Sequence, residues 1–433
     1  MDKKCISVVG LGFIGLPLAL SFCEKGFQVY GVDVDPGKID LLQRGMAYVT
    51  EDDDGVPLDA HLKKHLAAGT FIPTTEMEHT RAKVSAYVVT VGIPVHPSGG
   101  QLIYEPLDAA IDALGSVIMR GQLILLRPTL VPGTVEQRLL PRLTAVSKLA
   151  AGSDFHVAYA AERVAEGRAM KEFRTLDVVV GGLTPACTQR ASELLAELTD
   201  GVIHQTDLRT SQLAKVVENV QRDVNLAIVN ELAKVAQAHE VDLYHLIEMT
   251  NTHPRVQLLM PSVGVGGFCI PNAYLYLRDS VEDKDMMPLF ETARAVNAGV
   301  PHRLVEAAAL RLQDRGRRLT GTRVAVLGLG MKDGSNDTRQ SPAVDCALAF
   351  AAAGADVRAF DPTVPRATFD FQVETMAECL ESAAVVVVGA WQPEFESVPW
   401  KDVWPLTDTP VIIDPRHRLD TFLPRPQPSG QLS

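Results

Sequence analysis

Residues 6–33 constrain the fold more than any other part of the chain. Ile6 to Gly10 is an apolar, β-branched run that meets Gly10-x-Gly12-x-x-Gly15 and then LPLALSFCEKG, whose apolar spacing is helical and which ends at Gly26. The following strand, Gln28 to Val32, delivers Asp33 at its end, eighteen residues beyond Gly15. Strand, glycine turn, helix, strand and acid in that order predict a parallel α/β unit whose turn receives a pyrophosphate. Asp33 would accept hydrogen bonds from a ribose diol and repel a 2′-phosphate, so NAD is favoured over NADP. A glycine turn arising by chance is the alternative, and the context around Gly10, Gly12 and Gly15 argues against it.

The α/β pattern continues. Strands are expected at Ala86 to Val91 and Gln122 to Leu126, each ending in a polar or proline-rich loop at the carboxyl edge where ligands bind. The second loop, Arg127 to Thr134, places hydroxyls there. Thr129 could hold a substrate or water, although an N-cap or turn role serves either threonine equally well locally. Another strand is expected at Val157 to Ala160, with Glu162-Arg163 just past it. Residues 34–80 are less regular, and their acidic cluster Glu51 to Asp54 reads as a solvated loop rather than a metal site.

From Thr206 to His239 the spacing of Leu213, Val216, Val217, Val220, Val224, Ile228, Leu232 and Val235 is helical, with no proline to interrupt it. Lys215 and Asn219, four apart, share one face of this helix. A lysine on a helix is most simply solvent-exposed, but the apolar neighbours Ala214, Val216 and Val217 point towards burial. A second α/β unit begins with the strand Thr322 to Leu327, the turn Gly328-Leu-Gly330 and the helix Pro342 to Ala353, followed by strands at Asp356 to Phe360, Ala384 to Val388 and Val411 to Ile413. Its turn lacks a third glycine in register. A nucleotide phosphate is therefore expected there rather than a dinucleotide, with Lys332 and Arg339 as candidate cations, or as plain surface charges. The expected architecture is α/β, two Rossmann-like doubly wound lobes joined by a long central helix. Its boundaries are 1–205, 206–312 with the helix and a cysteine loop, 313–425, and a disordered tail at 426–433.

That loop reads GVGGFCIP, Gly264 to Pro271, and its glycines predict a tight turn under a bound molecule that presents the Cys269 thiol. A thiol becomes a covalent catalyst as thiolate or beside a proton acceptor; otherwise it is a small apolar residue in a turn. Net charge is −12 with no lysine or arginine block, which gives nucleic acid or membrane surfaces little to bind. The six cysteines lie far apart without C-x-x-C spacing, so neither a zinc site nor a disulfide framework is expected, and a reducing compartment is. No uncharged apolar run reaches membrane-spanning length, and a soluble cytoplasmic protein is expected.

Taken together, VVGLGFIGLPLA, PTLVPGTVE, ERVAEGRAM, KVVENVQRDVNLAIVNELA, HPRV, GVGGFCIP, VLGLGMKDGSNDTRQSP and the DPR at Asp414 resemble the UDP-glucose/GDP-mannose dehydrogenase family, and within it the branch acting on UDP-N-acetylhexosamines. The resemblance implies NAD-dependent, four-electron oxidation of a sugar C6 hydroxyl to a uronic acid, and a homodimer through the long helix. It implies that Cys269 forms a thiohemiacetal and then a thioester, that Lys215 stabilises the oxyanion, that Asn219 binds substrate, and that Glu162 is the base for thioester hydrolysis. Thr129 would serve both alcohol and cofactor. Gly10, Gly12, Gly15 and Asp33 carry over to NAD, with Arg339 more loosely; Arg255, Gly266, Lys332 and Arg416 carry over to the UDP-sugar.

The pattern is broken in places. The family has an aspartate four residues after the cysteine, and this chain has Ala273. Pro128, Ile93-Pro94 and Ala161 stand where serine, Thr-Pro and proline are usual. Positioned acid/base groups contribute about 10²- to 10⁴-fold, so the loss at Ala273 opens two other outcomes. The enzyme could stop at the aldehyde, or the chain could be a non-catalytic nucleotide-sugar binding protein.

Overall fold

The computed structural model describes residues 4–49, 51–96, 100–165, 167–423 and 431–432. Four consecutive buried residues follow Cys5 in the strand Cys5–Val9 (β1), as a parallel strand covered on both faces requires. With it, Gln28–Val32 (β2), Phe71–Thr74 (β3), Ala86–Val89 (β4), Leu123–Leu126 (β5), His156–Tyr159 (β6), Val178–Gly182 (β7) and Ile203–Asp207 (β8) form an eight-stranded sheet in the order 8-7-6-5-4-1-2-3. The stretch 3-2-1-4-5-6 is the dinucleotide-binding order, reversing between β1 and β4. Every pairing is parallel except β6 with β7, where Ala158 faces Gly182. The helix Gly15–Glu24 is buried from Gly15 to Cys23, packed by Leu16, Leu20 and Phe22 into the core with Val29 and Leu123.

Three of these strands have no signal in the expectations above, each for a physical reason. β3 carries Pro73, β7 ends in two glycines, and β8 reads Ile-His-Gln-Thr-Asp at the sheet's edge, too polar to stand out. The acidic cluster also differs from the expected solvated loop. Glu51 is only 5% exposed and accepts from Gly167 N (3.1 Å) and Met170 N (2.9 Å), while Asp53 takes two bonds from Arg174. Those carboxylates staple the helix Ala169–Thr175 in place.

The chain divides into two units: the first runs to Glu218 and includes Leu275–Glu282, the second holds Asn219–Tyr274 and the chain from Asp283 onward. The long helix is Leu208–Ala238, 31 residues. In the second unit it is fastened by a buried polar network: Asp223 accepts from Arg294 Nη1 (2.8 Å) and Asn297 Nδ2 (2.7 Å), and Asn230 Nδ2 donates to Asn297 Oδ1 (2.8 Å).

The second unit has its own parallel sheet, Arg323–Leu327 (β9), Asp356–Phe360 (β10), Val385–Val388 (β11), Val411–Ile413 (β12) and Gln431–Leu432 (β13), in the order 10-9-11-12-13. Relabelled from its first strand this is 2-1-3-4-5, the second common doubly wound order. Of the tail expected from 426, only Gln431 and Leu432 are described, paired with Ile412 and Ile413; the rest lies outside the described residues.

Candidate active site

The three glycines of the first turn are required for different reasons. Gly10 has φ +91° and donates to Val32 O at 2.7 Å. A Cβ on Gly15 would lie 1.9 Å from Gly10 O, so only glycine lets the helix start there. A Cβ on Gly12 would meet nothing within 4 Å. The protein needs Gly10 and Gly15 for itself, whereas Gly12 is open to an incoming group, as close approach to a pyrophosphate demands. Asp33, 8% exposed, holds the turn: its Oδ2 accepts from Leu11 N (2.8 Å) and its Oδ1 from Asp35 N (3.0 Å). Lys38 stands 3.6 Å from the same carboxylate. Tyr48 donates its hydroxyl to Leu11 O, and burial pushes that phenol well above its ordinary value. An open glycine beside a strand-end carboxylate fits a dinucleotide.

At the carboxyl ends of β5 and β6, Arg127 is 2% exposed and donates Nη2 to Glu162 Oε2. Its Nε and Nη1 are buried without a partner among the described residues. Glu162 Oε1 accepts from Arg163 N (2.7 Å) and Val164 N (3.0 Å), so three donors fix this carboxylate. Arg163 in turn donates Nε to Glu218 Oε1 (3.0 Å) and Nη1 to Asp177 O (3.0 Å). Thr129 is half-buried in the loop after β5. The reading of the sequence gave Arg127 no role; its one clue is an arginine placed directly after the apolar strand Leu-Ile-Leu-Leu.

Along the long helix, Lys215 is half-buried, with no hydrogen-bond or ion-pair partner for its ammonium among the described residues. One turn on, Asn219 is 4% exposed and its Nδ2 is buried without a partner among the described residues. One turn further, Asp223 anchors the network described above, where burial pushes its carboxyl up and lowers the guanidinium of Arg294. Periodicity alone could not separate Asp223 from a solvated acid.

Of six free cysteines, Cys269 alone is exposed. It is the first residue of the helix Cys269–Asp279, where unpaired backbone N–H groups favour negative charge. The glycines before it are also required by the chain itself. A Cβ on Gly266 would fall 2.3 Å from Gln340 O and from Pro342 Cδ, and Gly267, at φ +81°, donates to Gln340 O at 3.0 Å. Ala273 is wholly buried, and Asn272 before it is 3% exposed, its Nδ2 without a partner among the described residues.

The second glycine turn repeats the first but is filled. Leu329 N (2.7 Å) and Gly330 N (3.3 Å) donate to Asp361 Oδ2, as Leu11 does to Asp33. A Cβ on Gly330 would fall 2.0 Å from Ser335 O, leaving no counterpart of the space at Gly12. Arg339 is bound to Asp337 through Nε (2.9 Å) and Nη2 (2.5 Å). Arg416 pairs with Asp333 (2.7 Å) and donates to Gly389 O. Lys332 is half-buried and engaged within the chain, and Arg255 is exposed. No helix among the described residues is long and apolar enough to cross a membrane.

Three family models match the chain: the UDP-glucose/GDP-mannose dehydrogenase family NAD-binding domain over residues 4–199, its central domain over 209–299 and its UDP-binding domain over 325–421. The chain is 34% identical to the UDP-N-acetyl-D-mannosamine dehydrogenase of Pyrococcus horikoshii over 415 residues, covering 95% of each. It is 33% identical to the NDP-N-acetyl-D-galactosaminuronic acid dehydrogenase of Ralstonia nicotianae, covering 80% of this chain and 79% of that one. Among solved structures, the Pyrococcus horikoshii UDP-D-ManNAc dehydrogenase superposes with a TM-score of 0.87 at 32% identity, covering 95% of each chain. A UDP-glucose dehydrogenase from Pyrobaculum islandicum gives 0.83 at 26% identity, covering 96% of this chain and 94% of that one.

Proposed function

Since the chain belongs to the UDP-glucose/GDP-mannose dehydrogenase family, we propose that it oxidises the C6 hydroxyl of a UDP-linked 2-acetamido hexose to the carboxylate. The observation that carries this reading is Cys269, the one exposed thiol of six, set at the start of a helix. Bound NAD supplies the hydride acceptor for each oxidation, held by the Gly10 to Gly15 turn and Asp33, with Arg339 assigned more loosely. Thr129 and Lys215 hold the reacting oxygen, the lysine as a cation beside developing negative charge. Cys269 Sγ adds to the aldehyde carbon, giving a thiohemiacetal that can lose hydride again where the aldehyde could not. The thioester that results is hydrolysed by water, with Glu162 accepting the proton and returning it to the sulfur. Asn219 binds the sugar through its unpartnered amide, and Arg255, Gly266, Lys332 and Arg416 are assigned to the UDP-sugar. A second copy would cover Ile228 and Val235, seven residues apart on the long helix and about half exposed, which supports a homodimer.

A second reading, oxidation that halts at the aldehyde, is favoured by the buried methyl of Ala273. Both are tested by mixing the protein and NAD with UDP-N-acetylmannosamine, UDP-N-acetylglucosamine, UDP-glucose and GDP-mannose, and counting NADH per sugar consumed. Two NADH supports the carboxylate and one the aldehyde. Sugar binding without NADH would leave a non-catalytic binder. Cys269→Ser should yield no more than one NADH per sugar, and a variant that still yields two would remove the thiol from the mechanism.

A further inference from the structure

Asn272 stands three residues beyond Cys269 in the same helix, so the two share a face with Cβ atoms about 5–6 Å apart. Its side chain is 3% exposed and its Nδ2 has no hydrogen-bond partner among the described residues. A buried donor without an acceptor is destabilising, so an amide kept in that condition next to an exposed thiol points to an acceptor that arrives with the substrate. The following residue, Ala273, offers only a methyl group. Carbon bonded to Cys269 Sγ would carry an oxygen about one helical turn from the carboxamide.

We propose that Asn272 is a catalytic residue whose Nδ2–H donates to that oxygen, first in the adduct with the aldehyde and again during thioester hydrolysis. The inference rests on the covalent reading of Cys269 given above. In the first step a sulfur lone pair forms the S–C bond and the carbonyl π pair moves onto the oxygen, which accepts from Asn272. In hydrolysis the oxygen of water forms the new C–O bond and its proton passes to the base assigned to Glu162. The π pair again moves to the carbonyl oxygen, and its return expels the thiolate. Asn272 contributes a hydrogen bond throughout and takes up no proton.

The test is Asn272→Leu in the full chain, with Asn272→Ala read the same way should the leucine variant not fold. Removing one oxyanion donor lowers kcat by about 10²- to 10³-fold, so a fall of that size in NADH formation is expected. The KM for the nucleotide sugar should stay within about twofold, since the bond is made to the reacting oxygen alone. The leucine variant should melt at or above the parent's Tm, because an orphaned donor has gone. A merely structural asparagine would lower Tm and raise KM together, and that result would overturn the proposal. So would an unchanged kcat in a variant whose parent is active. A parent that forms no NADH with any nucleotide sugar would overturn the covalent reading and this inference with it.

Discussion

Arg127 and Glu162 form an ion pair across the loops that follow β5 and β6, with side chains 3% and 13% exposed. Removing one member of a buried pair strands the other charge, which costs about 3–5 kcal/mol. Arg127→Met should therefore lower the urea midpoint markedly with the slope unchanged. Arg127→Met combined with Glu162→Leu should recover part of that loss, giving a coupling of about 0.5–3 kcal/mol. Strict additivity would show the pair to be no more than a contact.

Gly12 and Gly15, three residues apart, should respond oppositely to alanine. Gly15→Ala drives a Cβ into Gly10 O and should destabilise the first unit. Gly12→Ala meets only open space, so stability should change by no more than about 0.5 kcal/mol. Its NAD affinity should nevertheless fall at least about tenfold, roughly 1.4 kcal/mol, through the lost approach of the pyrophosphate. Thermal melts and NADH fluorescence titration separate the two. Retained NAD binding in Gly12→Ala would move the cofactor elsewhere.

Acid should weaken the first unit for an identifiable reason. Arg138 holds Asp108 below its ordinary value through a bidentate bond, Arg174 does the same for Asp53, and Glu24, despite partial desolvation, is brought to about 2 by Lys64, His61 and His65. A folded value below the unfolded one stabilises at pH above the unfolded value, about 4 for carboxylates, and that stability is lost as pH falls through the folded value. Urea midpoints should thus fall below about pH 4, and Asp108→Asn should fall less steeply than the parent. An equally steep fall would place the acid sensitivity in other groups.

Ile228→Glu should give monomers, read by sedimentation velocity, with the far-ultraviolet spectrum of the parent. Under the proposed homodimer, a charge placed on this apolar face would be left unpaired where the copies meet. Undiminished dimers would take that face of the long helix out of the interface.

The long helix was legible because its apolar spacing repeats without interruption, and the observed span, Leu208–Ala238, differs from the expected one only at its ends. The glycine turn and Asp33 were legible for a similar reason, since every element lies within one local α/β unit. What could not be read is what other loops do to these residues. Glu162 was visible as an acid at a sheet edge, but its bond to Arg127 joins residues 35 apart. The same limit hid the packing demand on Gly266. Its demand for space comes from Gln340 and Pro342, distant in sequence, and no local pattern announces a backbone pressed from that direction.

That last contact couples two jobs. Gly267 donates to Gln340 O and Gly266 leaves no room for a side chain against Gln340 and Pro342, so the segment carrying the sulfur is packed directly on the segment that follows Lys332. If the UDP-sugar is held beside Lys332 as proposed, its occupancy and the aim of the thiol would be tied through this contact. A substrate gripped by its phosphates would set the attacking atom by the same grip.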